Sequence, residues 1–296
     1  MSQLAHLRQK IRSIQTTKKV THAIRLVSMS LYGKLEKQAN HLHYYTKTVR
    51  SFFFEHLCQI ASWKHPVLMP EHEERGRRLV VLVATSRGLC GSLNTNLFRH
   101  FSEHILPSLD LERCSFITVG AKAYKFVKEQ LHQEVSFNYQ ELNSNNFITI
   151  ADALLEKIIH AQNPYAAVSF VTTERKSFFC QMPKATQLIP FKAPLMGEQV
   201  GEGQCATHGA GALIWEQSAE KILDSLAIGY VRSSIIEILF QALLSEYAAR
   251  FLAMDGSTTN AEKYLERLTL QYNKARQAAI TKEVSELTSG FIGNGS

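Results

Sequence analysis

The chain has 296 residues, of which 45% are hydrophobic and 20% are charged. This length and composition allow a packed core in one large domain or two modest ones, and they exclude an intrinsically disordered chain. No unbroken apolar run approaches the roughly 18 to 20 residues that cross a bilayer, and residues 1–15 lack the pattern of a signal peptide. We therefore expect neither a transmembrane segment nor a secretory leader.

The net charge of +7 is distributed unevenly along the chain. Residues 1–50 carry ten Lys and Arg against one acid, whereas residues 214–296 carry eight bases against ten acids. Such asymmetry predicts an acidic partner for the first segment: another protein, a nucleic acid or the C-terminal segment of the chain itself. The five cysteines form no CxxC pair, which is typical of reduced thiols in a cytosolic setting; they are Cys58, Cys90, Cys114, Cys180 and Cys205.

The first segment has the periodicity of one long helix. Apolar residues recur at steps of three and four from Leu4 to Phe52, and no proline occurs before Pro66. A helix of about 55 residues would be about 80 Å long, and its apolar stripe would need a partner helix.

The C-terminal segment is the predicted partner. It is free of proline from Ala219 through Leu287 and follows a helical period, although Gly229 and residues 255–258 weaken the helix enough for a kink or a break. We expect the two terminal helices to pair antiparallel.

Between the helices, strand-like and helix-like segments alternate, which predicts an inserted α/β, Rossmann-like domain with a mainly parallel sheet. The predicted strands are residues 79–85, 115–119, 166–172 and 187–191, and the predicted helices are residues 94–106, 121–131 and 148–160. Residues 64–78 and 193–211 are interpreted as linkers. The predicted fold is thus a mixed α+β and α/β chain of three segments: an N-terminal coiled-coil helix (1–62), an α/β foot domain (78–212) and a C-terminal coiled-coil helix (213–296).

Three local motifs offer candidate chemistry. Residues 86–94 connect a strand to a helix as phosphate-binding loops do, but the spacing of Gly88 and Gly91, with no following lysine, favours a tight turn and a helix N-cap. Residues 100–104 spell H-x-x-E-H, which without a third ligand favours an exposed helix face over a metal site. Cys90 is either a reactive thiol or a small buried residue. We nominate no catalytic, cofactor-binding or metal-binding residue, and no cofactor.

Three stretches resemble the gamma subunit of F-type ATP synthases, the central rotor shaft. They are residues 11–35, residues 80–97 with the turn GLCG, and residues 245–286 with SE-x-x-AR-x-x-AM followed by YNKARQA-x-IT-x-E. The resemblance implies a non-catalytic subunit that rotates inside an alpha/beta hexamer and couples transmembrane ion flow, of protons or sodium, to ATP synthesis or hydrolysis. The partners it implies are the alpha, beta and epsilon subunits and the membrane c-ring, with no nucleic acid.

The same resemblance implies contacts with the beta subunits. The residues that match these positions are Ile24, Arg25, Leu26, Val27, Cys90, Arg276, Gln277, Thr281 and Glu283. It also implies a peripheral location on the cytoplasmic side of a bacterial inner membrane, reached only through the complex.

Two other functions stay open from the residues alone. A nucleic-acid-binding basic coiled coil would bind phosphates with an affinity that falls steeply with salt. A small Rossmann-like nucleotide-binding enzyme would bind a nucleotide through residues 78–212.

Overall fold

The computed structural model describes residues 2–57, 63, 65, 68–70, 76–161, 164–191 and 218–293. These residues form two compact units: residues 31–249 form one, and the residues up to 30 together with those from 250 onward form the other. The predicted segments 1–62, 78–212 and 213–296 separate the helices from the sheet, whereas the two compact units group residues that pack together. The predicted boundaries stay a prediction. The predicted linkers, residues 64–78 and 193–211, lie mostly outside the described residues.

Two long helices begin and end the described chain. Helix α1 spans Ser2–Leu57 and helix α5 spans Ala219–Gly293, which confirms both helical predictions. Helix α5 continues without a break through Gly229 and through residues 255–258. A helical glycine costs about 1 kcal/mol relative to alanine, which is small beside the burial of Ala227 and Val231 on either side of Gly229.

The described residues between these helices form five strands, in chain order β1 (Arg78–Val83), β2 (Cys114–Val119), β3 (Val135–Tyr139), β4 (Ala167–Ser177) and β5 (Cys180–Ile189). They form one sheet in the order β3-β2-β1-β4-β5. The pairs β1–β2, β1–β4 and β2–β3 are parallel, and β4–β5 is an antiparallel hairpin. The expectation of a mainly parallel sheet is confirmed.

Within the described part of the chain, three shorter helices cover the sheet: α2 (Leu93–His100), α3 (Ala121–Glu129) and α4 (Phe147–Ile159). Helix α2 continues as a π-helical turn at Phe101–Ile105 and a 3-10 turn at Leu106–Ser108, and a further 3-10 turn occupies Leu111–Arg113. Each of the three predicted helices is present with similar bounds.

The two faces of the sheet bury separate apolar clusters. Alternate residues of β1 point to opposite faces, as the two-residue period of a strand requires. Val80 and Leu82 pack with Phe101 of the π-helical turn and Phe126 of α3. On the opposite face, Val81 belongs to the cluster formed with α4 and with the parts of α1 and α5 that lie within residues 31–249. Both faces are therefore covered, as parallel sheets require.

The strand prediction was incomplete in two places. Strand β3 was not predicted, and the hairpin strands reach beyond the predicted residues 166–172 and 187–191 to Ser177 and Cys180. Strand β3 is an edge strand of only five residues, and although its apolar and polar residues alternate, the run is short and none of its residues is fully buried. The distal half of the hairpin is rich in charged and polar residues, so it offers no apolar run.

Helix α5 is the one helix of the described residues that contains a long apolar stretch. By length and composition alone, one stretch within Glu220–Thr288 could cross a membrane, with a mean hydropathy of 1.4 in its most apolar window. Half of that window is buried inside the chain. Apolar length does not separate a core helix from a spanning one, and the buried residues Ile235, Leu239 and Leu243 show that this helix supplies core.

A charged contact ties α1 to the β4–β5 hairpin within residues 31–249. The Arg175 guanidinium donates to the Glu36 carboxylate at 2.6 Å and also to the Tyr32 hydroxyl. Burial by itself raises the pKa of Glu36, but hydrogen bonds from Tyr32 and Arg175 and the positive charge of Arg175 outweigh it, so this pKa is lowered. The ionised form of Glu36 is therefore favoured in the folded chain.

We expect Glu36→Gln to lower the free energy of unfolding by about 0.5 to 1 kcal/mol at pH 7, because the carboxylate is 43% exposed and the ion pair is screened. A carboxyl group whose pKa is lowered by folding stabilises the folded chain when the pH is above its pKa in the unfolded chain, which is near 4.3. This stabilisation is lost as the pH falls through the pKa in the folded chain. Urea unfolding at pH 7 and near pH 3.5 should show the difference between variant and native chain shrinking in acid. Glu129→Gln, which removes an exposed partner of Lys125, is the control; an equal loss there would contradict the prediction.

Candidate subunit interface

The residues up to 30 and from 250 onward form a pair of antiparallel helical segments. Three contacts run in opposite chain directions along it: Lys18 with Glu262 at 2.9 Å, the Thr21 and Thr258 hydroxyls at 2.9 Å, and Arg25 with Asp255 at 2.6 Å. Antiparallel pairing is therefore confirmed. These contacts also join the basic first segment to the acidic C-terminal segment, one of the three partners that the charge distribution allowed.

This unit leaves several large apolar side chains exposed on both helices. On α1 they are Val20, Leu26, Val27 and Met29, and on α5 they are Tyr264, Leu270, Ile280, Val284 and Leu287. The exposed fractions range from 45% at Met29 to 65% at Leu287. Single exposed apolar residues are common, but this many on one helical pair is typical of a surface that another protein covers.

The predicted contact residues of α1 divide into paired and free ones. Arg25 donates to Asp255 and lies 3.2 Å from His22, so its guanidinium is held by the chain itself. Ile24 is half-buried between the helices. Leu26 and Val27 are 55% and 59% exposed, which leaves them available to a partner.

The predicted contact residues of α5 are all exposed. Arg276, Gln277, Thr281 and Glu283 lie on solvent-facing turns of the helix, and none makes an ion pair or a side-chain hydrogen bond with another described residue. Their neighbours Ile280 and Val284 are more than half exposed, so charged, polar and apolar groups alternate on this surface. Such a mixture suits a contact with another protein better than a packed coiled-coil seam.

Cys90 lies elsewhere, within residues 31–249. Only 3% of this residue is exposed, and it packs with Leu93 and Ala249. Its thiol approaches the carbonyl oxygens of Gly88 at 3.4 Å and Arg87 at 3.8 Å. Cys90 is therefore a small buried residue rather than an exposed thiol, and its contact with a beta subunit stays a prediction.

The turn before α2 is held by side chains rather than by glycines alone. The Thr85 backbone N–H donates to Asn94 Oδ1 at 3.2 Å, and Asn94 Nδ2 donates to Thr85 Oγ1 at 2.7 Å. Leu89 and Gly91 have positive φ, as a tight turn requires. Ser92 precedes α2 but makes no side-chain capping bond, so the turn is confirmed and the N-cap hydrogen bond is not present.

Apart from Leu26 and Val27, this exposed apolar surface was not predicted from the sequence. Val27 and Val284 both follow the helical period of their segments, which predicts cover by a partner helix, yet both are more than half exposed. The adjacent pair Leu26 and Val27, followed by Met29, is the signal that could have identified it. Adjacent helical residues point 100° apart, so one partner helix cannot bury all three.

The described residues contain no group of three or more His, Cys, Asp or Glu side chains placed to hold a metal ion. The rings of His100 and His104, from the H-x-x-E-H motif, lie 4.9 Å apart on the turn that follows α2. Glu103 and His104 are exposed and His100 is half-buried, in keeping with a helix surface.

Comparison with known proteins gives matches along almost the whole chain. The family model described as ATP synthase matches residues 3–292. The ATP synthase gamma chain of Heliobacterium modesticaldum is 30% identical over 292 residues, which cover 98% of each chain. That of Pelotomaculum thermopropionicum is also 30% identical, over 294 residues and 98% of each chain.

Solved structures share the fold at lower sequence identity. A chain of the Euglena gracilis mitochondrial ATP synthase, in a structure of OSCP, F1 and c-ring, has a TM-score of 0.71 at 16% identity, covering 99% of this chain and 94% of that one. A chain of the Tetrahymena thermophila central stalk and c-ring has a TM-score of 0.56 at 18% identity, covering 80% of this chain and 98% of that one.

A mixed-sheet domain inserted between two long antiparallel helices defines the class of the molecule. The matches then decide the family: the chain belongs to the ATP synthase gamma family. Gamma chains are non-catalytic subunits of the membrane-associated ATP synthase complex. The prediction that this chain is a non-catalytic rotor subunit of that complex is therefore confirmed. The nucleic-acid-binding and enzyme alternatives receive no support from these relatives.

Proposed function

We propose that this chain is the central shaft of a bacterial F-type ATP synthase, placed peripherally on the cytoplasmic side of the inner membrane. Its partners would be the alpha and beta subunits, the epsilon subunit and the membrane c-ring. The observation that carries the proposal is the match to bacterial gamma chains over 98% of both lengths. The solved structures that share the fold, a rotor from Euglena gracilis and a central stalk with c-ring from Tetrahymena thermophila, support the same role.

The mechanism follows from the asymmetry of a helical pair. Its surface differs from side to side, so three beta subunits around it would each meet a different set of residues. Each subunit would then be held in the conformation that its contacts favour, and rotation would exchange those conformations. The chain would couple ion flow to ATP chemistry through differential contacts, without reacting itself.

We place the beta-subunit contacts on the residues that the family motifs match. Leu26 and Val27 are the strongest of these on α1, because they are exposed and apolar. Ile24 and Arg25 would act mainly by holding the α1 surface in place, since Arg25 is paired with Asp255. On α5, Arg276, Gln277, Thr281 and Glu283 would supply polar contacts. In the same scheme, residues 78–212 would form the foot, between shaft helices 1–62 and 213–296.

Co-expression with the alpha and beta subunits of the same genome tests the assignment. We expect the chain to co-elute with both in size-exclusion chromatography, and we expect ATP hydrolysis by the complex to require it. The shaft role would be ruled out if the chain eluted alone and if ATP hydrolysis by the alpha/beta assembly were the same with and without it.

A double variant then tests the predicted contact surface in that complex. Leu26→Ala with Val27→Ala should barely change the unfolding of the isolated chain, because both side chains are exposed. It should lower ATP hydrolysis about fivefold, which corresponds to about 1 kcal/mol of lost contact. Ile148→Ala on α4, where a similar side chain is 46% exposed, is the control. Equal activity in all three complexes would remove Leu26 and Val27 from the contact surface.

A further inference from the structure

A cleft of about 270 Å³ lies within residues 31–249 and is unrelated to the predicted contacts. Three elements form its walls: α1 near Lys47, the hairpin strands near Thr186, and α5 near Gln241. We call it the cationic cleft. Pockets for drug-sized ligands are about 300 to 1,000 Å³, so this one fits only a smaller molecule.

The charges around the cationic cleft are not balanced. Its two acids already have partners: Glu174 pairs with Lys184 at 2.7 Å, and Glu237 pairs with His43 at 3.2 Å. Lys47 and Arg50, one helical turn apart on α1, have no ion pair within the described part of the chain. Arg50 makes only a cation–π contact, 5.6 Å from the Phe54 ring. Lys47, Arg50 and Lys184 face Glu174 and Glu237, so the cleft has an excess of one positive charge, and the Lys47 and Arg50 groups can both reach an anionic ligand.

Neutral hydrogen-bonding groups face the same cleft without partners. Thr186 on β5, and Ser234 and Gln241 on α5, make no side-chain hydrogen bond among the described residues. On the strand wall, Thr172 is buried, and its hydroxyl also has no partner in the described structure. Buried hydroxyl groups are normally paired, so the Thr172 hydroxyl, together with the half-buried Thr186, Ser234 and Gln241 beside it, indicates a binding site rather than ordinary surface.

We propose that the cationic cleft binds a small phosphate anion, either inorganic phosphate or pyrophosphate. Lys and Arg donors satisfy phosphate oxygens with strong charge-assisted hydrogen bonds. Donors approach from three walls, which suits the tetrahedral oxygens of phosphate better than the two coplanar oxygens of a carboxylate. The inference does not depend on the proposed shaft function, because it uses only residues of the sheet-containing unit.

Isothermal titration calorimetry of the full chain with sodium phosphate and with sodium pyrophosphate tests the proposal. Each titration is repeated with sodium chloride at matched ionic strength. We expect saturable binding of at least one phosphate anion and none of chloride. Binding should weaken at least about tenfold in Lys47→Gln with Arg50→Gln, since charged hydrogen bonds are lost. Lys34→Gln with Lys37→Gln removes the same charge from exposed residues of α1 outside the cleft, and it should bind as the native chain does.

Two further measurements separate the site from general effects. Ser234→Ala keeps every charge and should still weaken binding, which a purely electrostatic attraction would not do. Thermal unfolding of each variant without ligand checks that it is folded. The proposal is overturned if neither phosphate anion binds, if chloride gives the same heat, or if the two double variants bind equally well.

Discussion

Replacing Gly120 by alanine is expected to destabilise the sheet-containing unit by roughly 3 kcal/mol or more. Gly120 lies between β2 and α3 with a φ of +95°, and a Cβ there would lie 2.1 Å from the carbonyl oxygen of Ala84. Its N–H donates to the Tyr139 carbonyl at 2.7 Å, and its own carbonyl accepts from Ala123 at 3.1 Å. The backbone is held on both sides and cannot move away from the added methyl group.

Urea unfolding of Gly120→Ala followed by circular dichroism measures this loss. Gly33→Ala is the matched control: it lies in α1, nothing is within 4 Å of an added Cβ, and alanine should stabilise the helix by up to about 1 kcal/mol. The two substitutions add the same methyl group and should change stability in opposite directions. A Gly120→Ala chain as stable as the native one would show that the close approach to Ala84 is absent.

The second large effect is expected at Phe53, whose replacement by alanine should cost about 3 to 5 kcal/mol. Phe53 is fully buried at the centre of an aromatic cluster. Its ring lies 5.4 Å from Phe191 and Tyr230 and 5.9 Å from Phe54 and Trp63. Truncation would leave a cavity lined by rigid rings, which cannot collapse to fill it.

The neighbouring Phe52 provides the control for this substitution. Its side chain is 44% exposed, so Phe52→Ala should cost about 1 kcal/mol or less. Thermal and urea unfolding of both variants gives the comparison. Similar losses at Phe52 and Phe53 would contradict the burial on which the prediction depends.

Much of this fold could be predicted from the sequence because the two long helices carry their own signal. Residues from Leu4 to Phe52 repeat at helical spacing over many turns, and chance patterns do not persist that long. Strand β3 alternates apolar and polar residues over only five positions, which is too short a run to stand out. The distal hairpin has no apolar run, and it is fixed by pairing between strands and by Arg175 reaching Glu36, which is 139 residues away. Contacts between distant residues leave no periodicity in the distal hairpin.

The candidate interface was predicted in position but not in detail. Charge alone indicated that the basic segment meets acid, and Lys18 with Glu262 and Arg25 with Asp255 now account for part of that attraction within the chain. Whether Arg25 faces inward or outward depends on the rotation of α1 about its own axis. That rotation is set by packing at Ser28 and Leu268, both buried, and a sequence period cannot resolve it.

The pairing of residues near both chain ends also decides when each part of the protein can fold during synthesis. Thr21 and Thr258 are 237 residues apart, so the ribosome must add nearly the whole chain before they meet. At about 5 to 20 residues per second, α1 waits roughly 10 to 50 s with its first turns unpaired. The strands of the sheet lie within residues 78–189 and the helix residues that cover it end at Ala248, so this unit can assemble before Thr258 is added. The N-terminal turns therefore depend longest on protection from aggregation in the cell.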